Sequence, residues 1–359
     1  MQRCKKCFMP NTRPGSIFTE GVCQACFNYE KRKTVDWKER KKELKKLCDK
    51  YRKNDGSYDC IIPVSGGKDS YFLVYTLVNE MNMHPLLITV TDSFTHTKAG
   101  SHNLRNLIET FKLNHYQYTI NHDLFRRATR IAFEETGEAL KFVEYAIYTI
   151  PTLIAQKFNI PFVIYGENSA YEYGTTNKEF YLATPIVKAM SDRLEEDRKW
   201  WIEKGLTSGE VSSIQLDETK PLPEVVYMSY FIPWSSTINL KIAKRYGFRD
   251  LTHEWKREGY VEDFEQIDSV AYMVHLWLKY PKFGFQRTSD IVSRRVREGG
   301  LNLDQAKELI MNNDYKLDQR AMEDFINVLG YTPNQFWSIV EKFWNKDIFK
   351  KENGVWESK

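Results

Sequence analysis

Cys60-Ile61-Ile62-Pro63-Val64-Ser65-Gly66-Gly67-Lys68-Asp69-Ser70 is the stretch on which the fold turns. A short apolar run empties into Ser-Gly-Gly and then into a helix start. Two adjacent glycines let the backbone turn tightly and approach an anion with no Cβ in the way. A helix beginning near Asp69 would aim its unpaired N–H groups and the positive end of its dipole at that anion. Ser65 and Ser70 add hydroxyl donors, and Lys68 adds a cation. Asp69 is the odd member, because a carboxylate beside phosphates repels them unless a divalent metal sits between. The spacing is not that of the Walker loop, which places four residues between its first Gly and Gly-Lys-Ser/Thr.

Outward from this loop, apolar runs alternate with helical patterns, which predicts a doubly wound parallel α/β sheet. Strands are expected at 59–64, 85–91, 115–120, 162–165 and 225–232, with helices at 70–82, 100–111, 123–136 and 142–158. Ligands in such sheets sit beyond the carboxyl ends of the strands. The strand exits to watch are therefore Ser65, Thr91-Asp92, Gly166-Glu167 and Pro233-Trp234. Residues 181–223 are polar, carry Trp200-Trp201 and show no strand pattern, so they read as an insertion that covers the site. From about Glu262 the chain turns helical, with candidates at 269–278, 302–312, 319–329 and 333–344. Phe336, Trp337, Val340, Phe343 and Trp344 form an aromatic stripe expected to pack against the sheet domain.

The chain has 359 residues, 42% hydrophobic and 28% charged, which suits a globular protein of more than one domain. No apolar run approaches the roughly 18 residues of a membrane span. The first residues hold no signal-peptide core, so a cytosolic location is expected. The net charge of +4 conceals an asymmetry: residues 1–53 hold 16 of the 52 Lys and Arg but 6 of the 48 Asp and Glu. That basic segment, a helix over 35–53 ended by Asp55-Gly56, suits nucleic acid, an acidic partner, a phosphorylated substrate or simply solvent.

Four of the six cysteines form two pairs, Cys4-x-x-Cys7 and Cys23-x-x-Cys26, with 15 residues between them. Two such knuckles close a tetrahedron around one Zn²⁺. The site is expected to be structural, folding an N-terminal zinc ribbon over residues 1–30 that is too small for its own core. A basic linker helix (31–55), an ATP-binding α/β domain (56–245) and a helical C-terminal region (246–359) follow.

The loop resembles the pyrophosphate-binding Ser-Gly-Gly-x-Asp-Ser loop of the ATP pyrophosphatases, enzymes that cleave ATP between its α and β phosphates. With the cysteine knuckles ahead of it, the first third of the chain also resembles the transfer-RNA thiolation enzymes of that superfamily. Those enzymes use further cysteines downstream, and none occurs here after Cys60. A nearly end-to-end resemblance is to the N-acetyl sugar amidotransferases of bacterial surface-glycan synthesis, in lipopolysaccharide O-antigen and nonulosonic acid pathways. It is carried by the knuckles, Tyr58 through Ser70, Val90-Thr91-Asp92, Gly166-Glu167-Asn168, Tyr171-Glu172-Tyr173-Gly174, Pro233-Trp234, and Lys282-Phe283-Gly284-Phe285-Gln286-Arg287-Thr288-Ser289-Asp290.

This resemblance implies conversion of an acetamido group to an acetamidino group. ATP would adenylate the amide oxygen with release of pyrophosphate, and ammonia would then displace AMP. Ser65, Gly66, Gly67 and Ser70 would bind phosphates, Lys68 would offset charge on the departing pyrophosphate, and Asp69 would hold Mg²⁺. Backbone groups at Val90 and Thr91 would read adenine, with Gly166 also on the nucleotide. Glu167 would be a second metal ligand or a base for ammonia, against the plainer reading of a surface carboxylate. Asn168, Tyr173 and Lys178 would touch the sugar or nucleotide sugar. Lys282, Arg287 and Asp290 would clamp phosphate, or form a structural ion-pair cluster. A glutaminase needs an activated cysteine, and neither Cys48 nor Cys60 suits that role. Ammonia is therefore expected from a separate glutaminase, and the resemblance implies that this works with a cyclase-like partner. Membrane and nucleic-acid partners are not expected. A transfer-RNA modifier is the alternative enzyme, and a nucleotide-binding scaffold the alternative class.

Overall fold

The computed structural model describes residues 1–168, 174 and 181–359. At the N-terminus β1 (Phe18–Thr19) and β2 (Val22–Cys23) pair antiparallel, and α1 (Gln24–Arg32) follows directly. The four paired cysteines and Phe285 make a small core with Phe283 and Val296 at its edge, so this module is seated on the C-terminal region. Helix α2 (Trp37–Tyr51) is capped by Asp36, whose carboxylate accepts from the Lys38 and Glu39 amides. Leu44 and Cys48 are its buried face, and Tyr51 stacks on Phe162 at 4.7 Å. Of its lysines, Lys41 pairs with Glu80 and Lys50 with Glu224. The basic helix therefore straps the sheet with its apolar side and shows solvent its charged one.

The central sheet is parallel, in the order β5-β4-β3-β6-β7. Its strands are β3 (Cys60–Pro63), β4 (Pro85–Thr91), β5 (His115–Thr119), β6 (Phe162–Tyr165) and β7 (Glu224–Tyr227). Chain order reverses at β3, the central strand, whose exit carries Ser65. That is where a doubly wound sheet opens a crevice. Helices α3 (Lys68–Tyr75), α4 (Lys98–Phe111), α5 (His122–Thr136) and α6 (Lys141–Phe158) connect or cover the strands. α6 packs on β3, β4 and β6. Cys60, Ile61 and Ile62 of β3 and all of β6 are buried because both sheet faces are covered.

Three expectations need correction. The helix expected over 70–82 starts at Lys68 and widens after Tyr75 into a π turn, Thr76–Glu80, where the Thr76 hydroxyl back-bonds to the Phe72 carbonyl at 2.9 Å. The strand expected over 225–232 stops at Tyr227. The chain there folds into a helical turn, Met228–Phe231, and the Ser229 amide donates to the Gly166 carbonyl at 3.1 Å. Residues 181–223 carry helices at Thr184–Glu196, Arg198–Glu203 and Ser208–Ser212, and they line none of the openings described below. Leu182 bridges to β7, α7 (Thr184–Glu196) packs on α6, and Trp201 is fully buried edge-on to Phe142. The polarity of that segment belongs to its outer face.

Beyond the sheet, α8 (Ser236–Arg245) lies along α3, and α9 (Arg287–Arg297) packs on α10 (Leu303–Asn313). α11 (Gln319–Leu329) rests on α5, and α12 (Pro333–Val340) brings Phe336 over Phe133 at 5.5 Å. Phe336 is buried, while Trp337 is largely exposed. A closing hairpin, β8 (Phe349–Glu352) and β9 (Val355–Ser358), was not expected.

Candidate active site

The Ser65–Ser70 loop has the shape its sequence demands. Gly66 sits at φ +83°, and a Cβ there would lie 2.7 Å from the Leu104 backbone nitrogen. Gly67 caps α3 in an extended conformation and donates its N–H to Ser65 Oγ at 3.3 Å. The Ser65 amide donates to Ser70 Oγ at 3.1 Å, closing the loop on itself. These contacts aim the first turn of α3 into the crevice, the arrangement that binds phosphate.

Lys68 is only 4% exposed. Its ammonium lies 2.8 Å from Asp69 Oδ2 and 2.8 Å from Glu265 Oε1. Burial works against its charge, but the two carboxylates outweigh that and hold its pKa above the ordinary lysine value. Asp69 Oδ1 accepts from Asn239 Nδ2 at 2.7 Å, so α8 fixes the carboxylate that α3 presents. Glu265 is the hub. Its carboxylate also meets Arg294 at 2.6 Å, Arg287 at 3.0 Å and the Ser236 hydroxyl at 3.1 Å. Burial pushes its pKa up, but Lys68, Arg294 and Arg287 together hold it well below the usual carboxylate range. Glu262, 3.5 Å from Arg294, goes the other way: burial and then the Glu265 charge push it up to about 7.

Three openings lie around the loop, two of them lined by Lys68 and Asp69 and the other by Ser65. One, of about 320 Å³, has the loop on one side and an apolar wall of Ile88, Val90, Val143, Ile147 and Pro151. Asp92, Gln266 and Asp268 supply polar atoms there. A second, of about 440 Å³, lies between α4 and β5 with Thr89, Thr91, His96, Arg105 and His115 on its walls. Alternation along β4 turns Ile88 to the first and Thr89 and Thr91 to the second. The third, of about 40 Å³, shares Lys68 and Asp69 with the first and has Glu167 and Trp234 in its wall.

Several residues singled out by sequence meet here. Ser65 to Ser70, Val90 and Thr91 line the two larger clefts, and Glu167 lines the small pocket. Gly166 stands behind it, where a Cβ would come within 2.9 Å of the Trp234 ring. Asn168 is buried, with its amide donating to Ser229 Oγ at 3.0 Å, and lines none of the three openings. Tyr173 and Lys178 lie outside the described residues. Of Lys282, Arg287 and Asp290, only the last two meet, as an ion pair at 3.8 Å that fits the structural reading: Lys282 pairs with Glu138 at 3.7 Å, and Asp290 is fully buried against Lys279 at 2.5 Å. Arg287 alone of the three reaches Glu265. The hub residues Glu265, Arg294 and Asn239 had no spacing signal, since each meets the loop only through the fold. The one trace was the acidic run Glu262-Asp263-Phe264-Glu265 facing Arg294-Arg295.

The cysteine cluster is a candidate metal centre. Cys4, Cys7, Cys23 and Cys26 are buried, and their sulfurs lie within 4.8 Å of one another. The Sγ separations of 3.9 Å (Cys4–Cys26) and 3.5 Å (Cys7–Cys23) suit a tetrahedron of Zn–S bonds of about 2.3 Å. Lys6 and Cys23 amides donate to Cys4 Sγ at 3.4 and 3.3 Å, and hydrogen bonds from Cys23 and Cys26 pull the Cys7 thiol down to about 7. Arg297, which lines the small pocket, donates to Cys7 Sγ at 3.7 Å.

Residues 256–359 match the family described as LPS biosynthesis protein WbpG-like, C-terminal domain. That stretch supplies Glu262, Glu265, Arg287 and Arg294. A curated relative, uncharacterized protein MJ1599 of Methanocaldococcus jannaschii, is 23% identical over 164 residues, which is 44% of this chain and 57% of that protein. Among solved structures, NMN synthetase from Francisella tularensis aligns over 82% of this chain and 94% of its own at 12% identity, TM-score 0.36. NH3-dependent NAD synthetase from Campylobacter jejuni aligns over 83% and 98% at 15% identity, TM-score 0.35. The U34-tRNA thiolase NcsA from Methanococcus maripaludis, solved with its 4Fe-4S cluster, aligns over 91% and 96% at 12% identity, TM-score 0.34. Among the described residues no helix is long and apolar enough to cross a membrane.

Proposed function

We propose that this chain is an ATP-dependent, AMP- and pyrophosphate-forming enzyme. It adenylates the carbonyl oxygen of an N-acetyl group on a sugar and replaces that oxygen with nitrogen from ammonia. One observation carries the reading. The phosphate loop's lysine pairs with Glu265, whose carboxylate also binds Arg287 and Arg294, and these three residues come from the stretch that matches an LPS-biosynthesis domain. The phosphate end of the site and the glycan-associated end are thus one ion network.

In this reading the apolar wall of the 320 Å³ cleft takes the adenine, and Ser65, Gly66, Gly67 and Ser70 take the phosphates. Lys68 offers its ammonium to the charge that builds on the leaving pyrophosphate. Asp69 would hold Mg²⁺, which would screen the phosphates from that carboxylate. The acetamide oxygen attacks the α-phosphorus, the bond to the β-phosphate oxygen breaks, and the amide carbon becomes electrophilic. Ammonia then adds at that carbon and AMP departs with the C–O electron pair. Cys4, Cys7, Cys23 and Cys26 would hold a structural Zn²⁺ that keeps α1 beside the site.

Cys48 and Cys60 are both fully buried, and burial pushes the Cys48 thiol up to about 12 and Cys60 well above its usual value. A thiol held protonated and out of reach does not attack glutamine. This supports ammonia from a separate glutaminase. The test is pyrophosphate release by purified protein with ATP, ammonium chloride and a panel of N-acetylated sugars and nucleotide sugars, against a transfer-RNA arm. Release dependent on an N-acetylated sugar is expected. Release driven by transfer RNA and by none of the sugars overturns the reading.

A further inference from the structure

We infer that the cysteine cluster and the phosphate loop are coupled sites: metal held by the four cysteines and ATP held in the crevice tighten each other, with Arg297 as the positioning residue between them. The inference rests on the ATP-binding part of the reading above and is indifferent to the sugar. Two separate connections carry it. The first is α1. Cys26 stands in its first turn, and Tyr29 and Arg32 follow in its later turns. Those two side chains line the small opening together with Lys68 and Asp69. One nine-residue helix therefore joins a metal ligand to the wall of the site. The second connection is α9. Its Arg297 donates to Cys7 Sγ at 3.7 Å and lines the same opening. One turn back, Arg294 lies 2.6 Å from Glu265, and Glu265 lies 2.8 Å from the Lys68 ammonium. Loop lysine, hub glutamate, α9 and cysteine cluster are in unbroken contact.

The sign of the coupling follows from charge and packing. Four thiolates around one Zn²⁺ keep a net negative charge, which strengthens the hydrogen bond that Arg297 donates to Cys7. The core of the N-terminal module is the cysteines themselves with Met9, Ala25 and Phe285, so without metal little holds α1 in place. Asp69, Glu167 and Glu298 share the wall with Arg32, Arg294 and Arg297, so the placing of those arginines decides whether the opening favours an anion. Metal fixes that placing before phosphate arrives. In return, phosphate that attracts Arg32 and Arg297 holds α1 and Cys7 in their metal-binding positions. Coupling of this kind is reciprocal: whatever factor metal adds to ATP affinity, ATP adds to metal affinity.

The experiment uses the full zinc-loaded chain. Zinc affinity is measured by competition with a chromogenic chelator, with and without saturating ATP and Mg²⁺, and ATP binding is measured by calorimetry. The affinity of ATP for free zinc is measured without protein and subtracted. ATP should raise the zinc affinity of the wild type by about fivefold or more. Arg297→Gln should still bind both ligands, with that factor cut to about twofold or less, and Arg297→Lys, which keeps the charge, should restore part of it. An arginine that merely braced the fold would lower zinc affinity equally with and without ATP and leave the factor unchanged. An equal factor in wild type and Arg297→Gln, no effect of ATP in a wild type that binds both ligands, or a wild type that binds no zinc would each overturn the coupling. A wild type that binds zinc but no ATP would instead refute the ATP-binding reading itself.

Discussion

Glu265 offers the sharpest test of how the site is held together. It is 5% exposed, and three cations and a hydroxyl converge on its two oxygens. Glu265→Gln keeps the shape and removes the charge. Lys68 then retains Asp69 at 2.8 Å, Arg294 retains Glu262 at 3.5 Å, and Arg287 retains Asp290 at 3.8 Å. Removing one partner of a buried ion pair costs about 3–5 kcal/mol, because the other charge stays buried without compensation. Here each cation keeps a second carboxylate, so the lower end, about 3 kcal/mol, is the expected loss. The direction with pH follows from the depressed pKa. The contribution is fully present above the unfolded glutamate value of about 4.3 and is lost only as pH falls towards the lower folded value. Urea unfolding at pH 7, followed by tryptophan fluorescence, reads the loss as a lower midpoint at unchanged slope. The same comparison near pH 3 should show a smaller gap. Equal midpoints for wild type and Glu265→Gln at pH 7 would refute the claim that this carboxylate is the hub.

Other consequences follow from the same geometry. Glu262 has a folded pKa of about 7, above its unfolded value, so its contribution favours the folded state below about pH 4.3 and fades as pH rises through 7. Glu262→Gln should therefore flatten the stability profile between pH 5 and 8 and raise the urea midpoint at pH 8; a profile parallel to wild type counts against it. Gly66→Ala places a Cβ 2.7 Å from the Leu104 nitrogen at φ +83°. It should cost at least about 1–2 kcal/mol of backbone strain and abolish ATP binding by calorimetry. Cys4→Ser removes one of four clustered thiolates. It should lower bound metal by elemental analysis and loosen the packing of Phe285, and an unchanged metal content would show that the cluster is not the centre.

What could be read in advance, and what could not, divides by distance along the chain. The loop was legible because its parts are neighbours: strand, two glycines, helix start and hydroxyls all fall within Cys60–Ser70, and each imposes a backbone condition that Gly66 and Gly67 visibly meet. The cysteine cluster was legible for a similar reason, since two short knuckles state their own geometry. The closing hairpin carried a local signal that went unread, Asn353-Gly354, both at positive φ, the pair preferred in tight hairpin turns. Glu265 and Asn239 are different in kind. They contact Lys68 and Asp69 only because α8 lies along α3 and the 262–268 segment closes over the loop. No periodicity encodes that. Lys282, Arg287 and Asp290 show the converse limit, because closeness in sequence left a phosphate clamp and a structural ion-pair cluster both open, while the start of α9 sends Arg287 to Glu265 and Asp290 and buries Asp290 against Lys279. A cation next to a glycine in sequence could face a phosphate or a carboxylate. In this fold the carboxylate holds it first, so any polyphosphate entering the crevice must compete with Glu265 and Asp69 for Lys68. Nucleotide affinity should therefore depend on the C-terminal region even though none of the loop residues belongs to it.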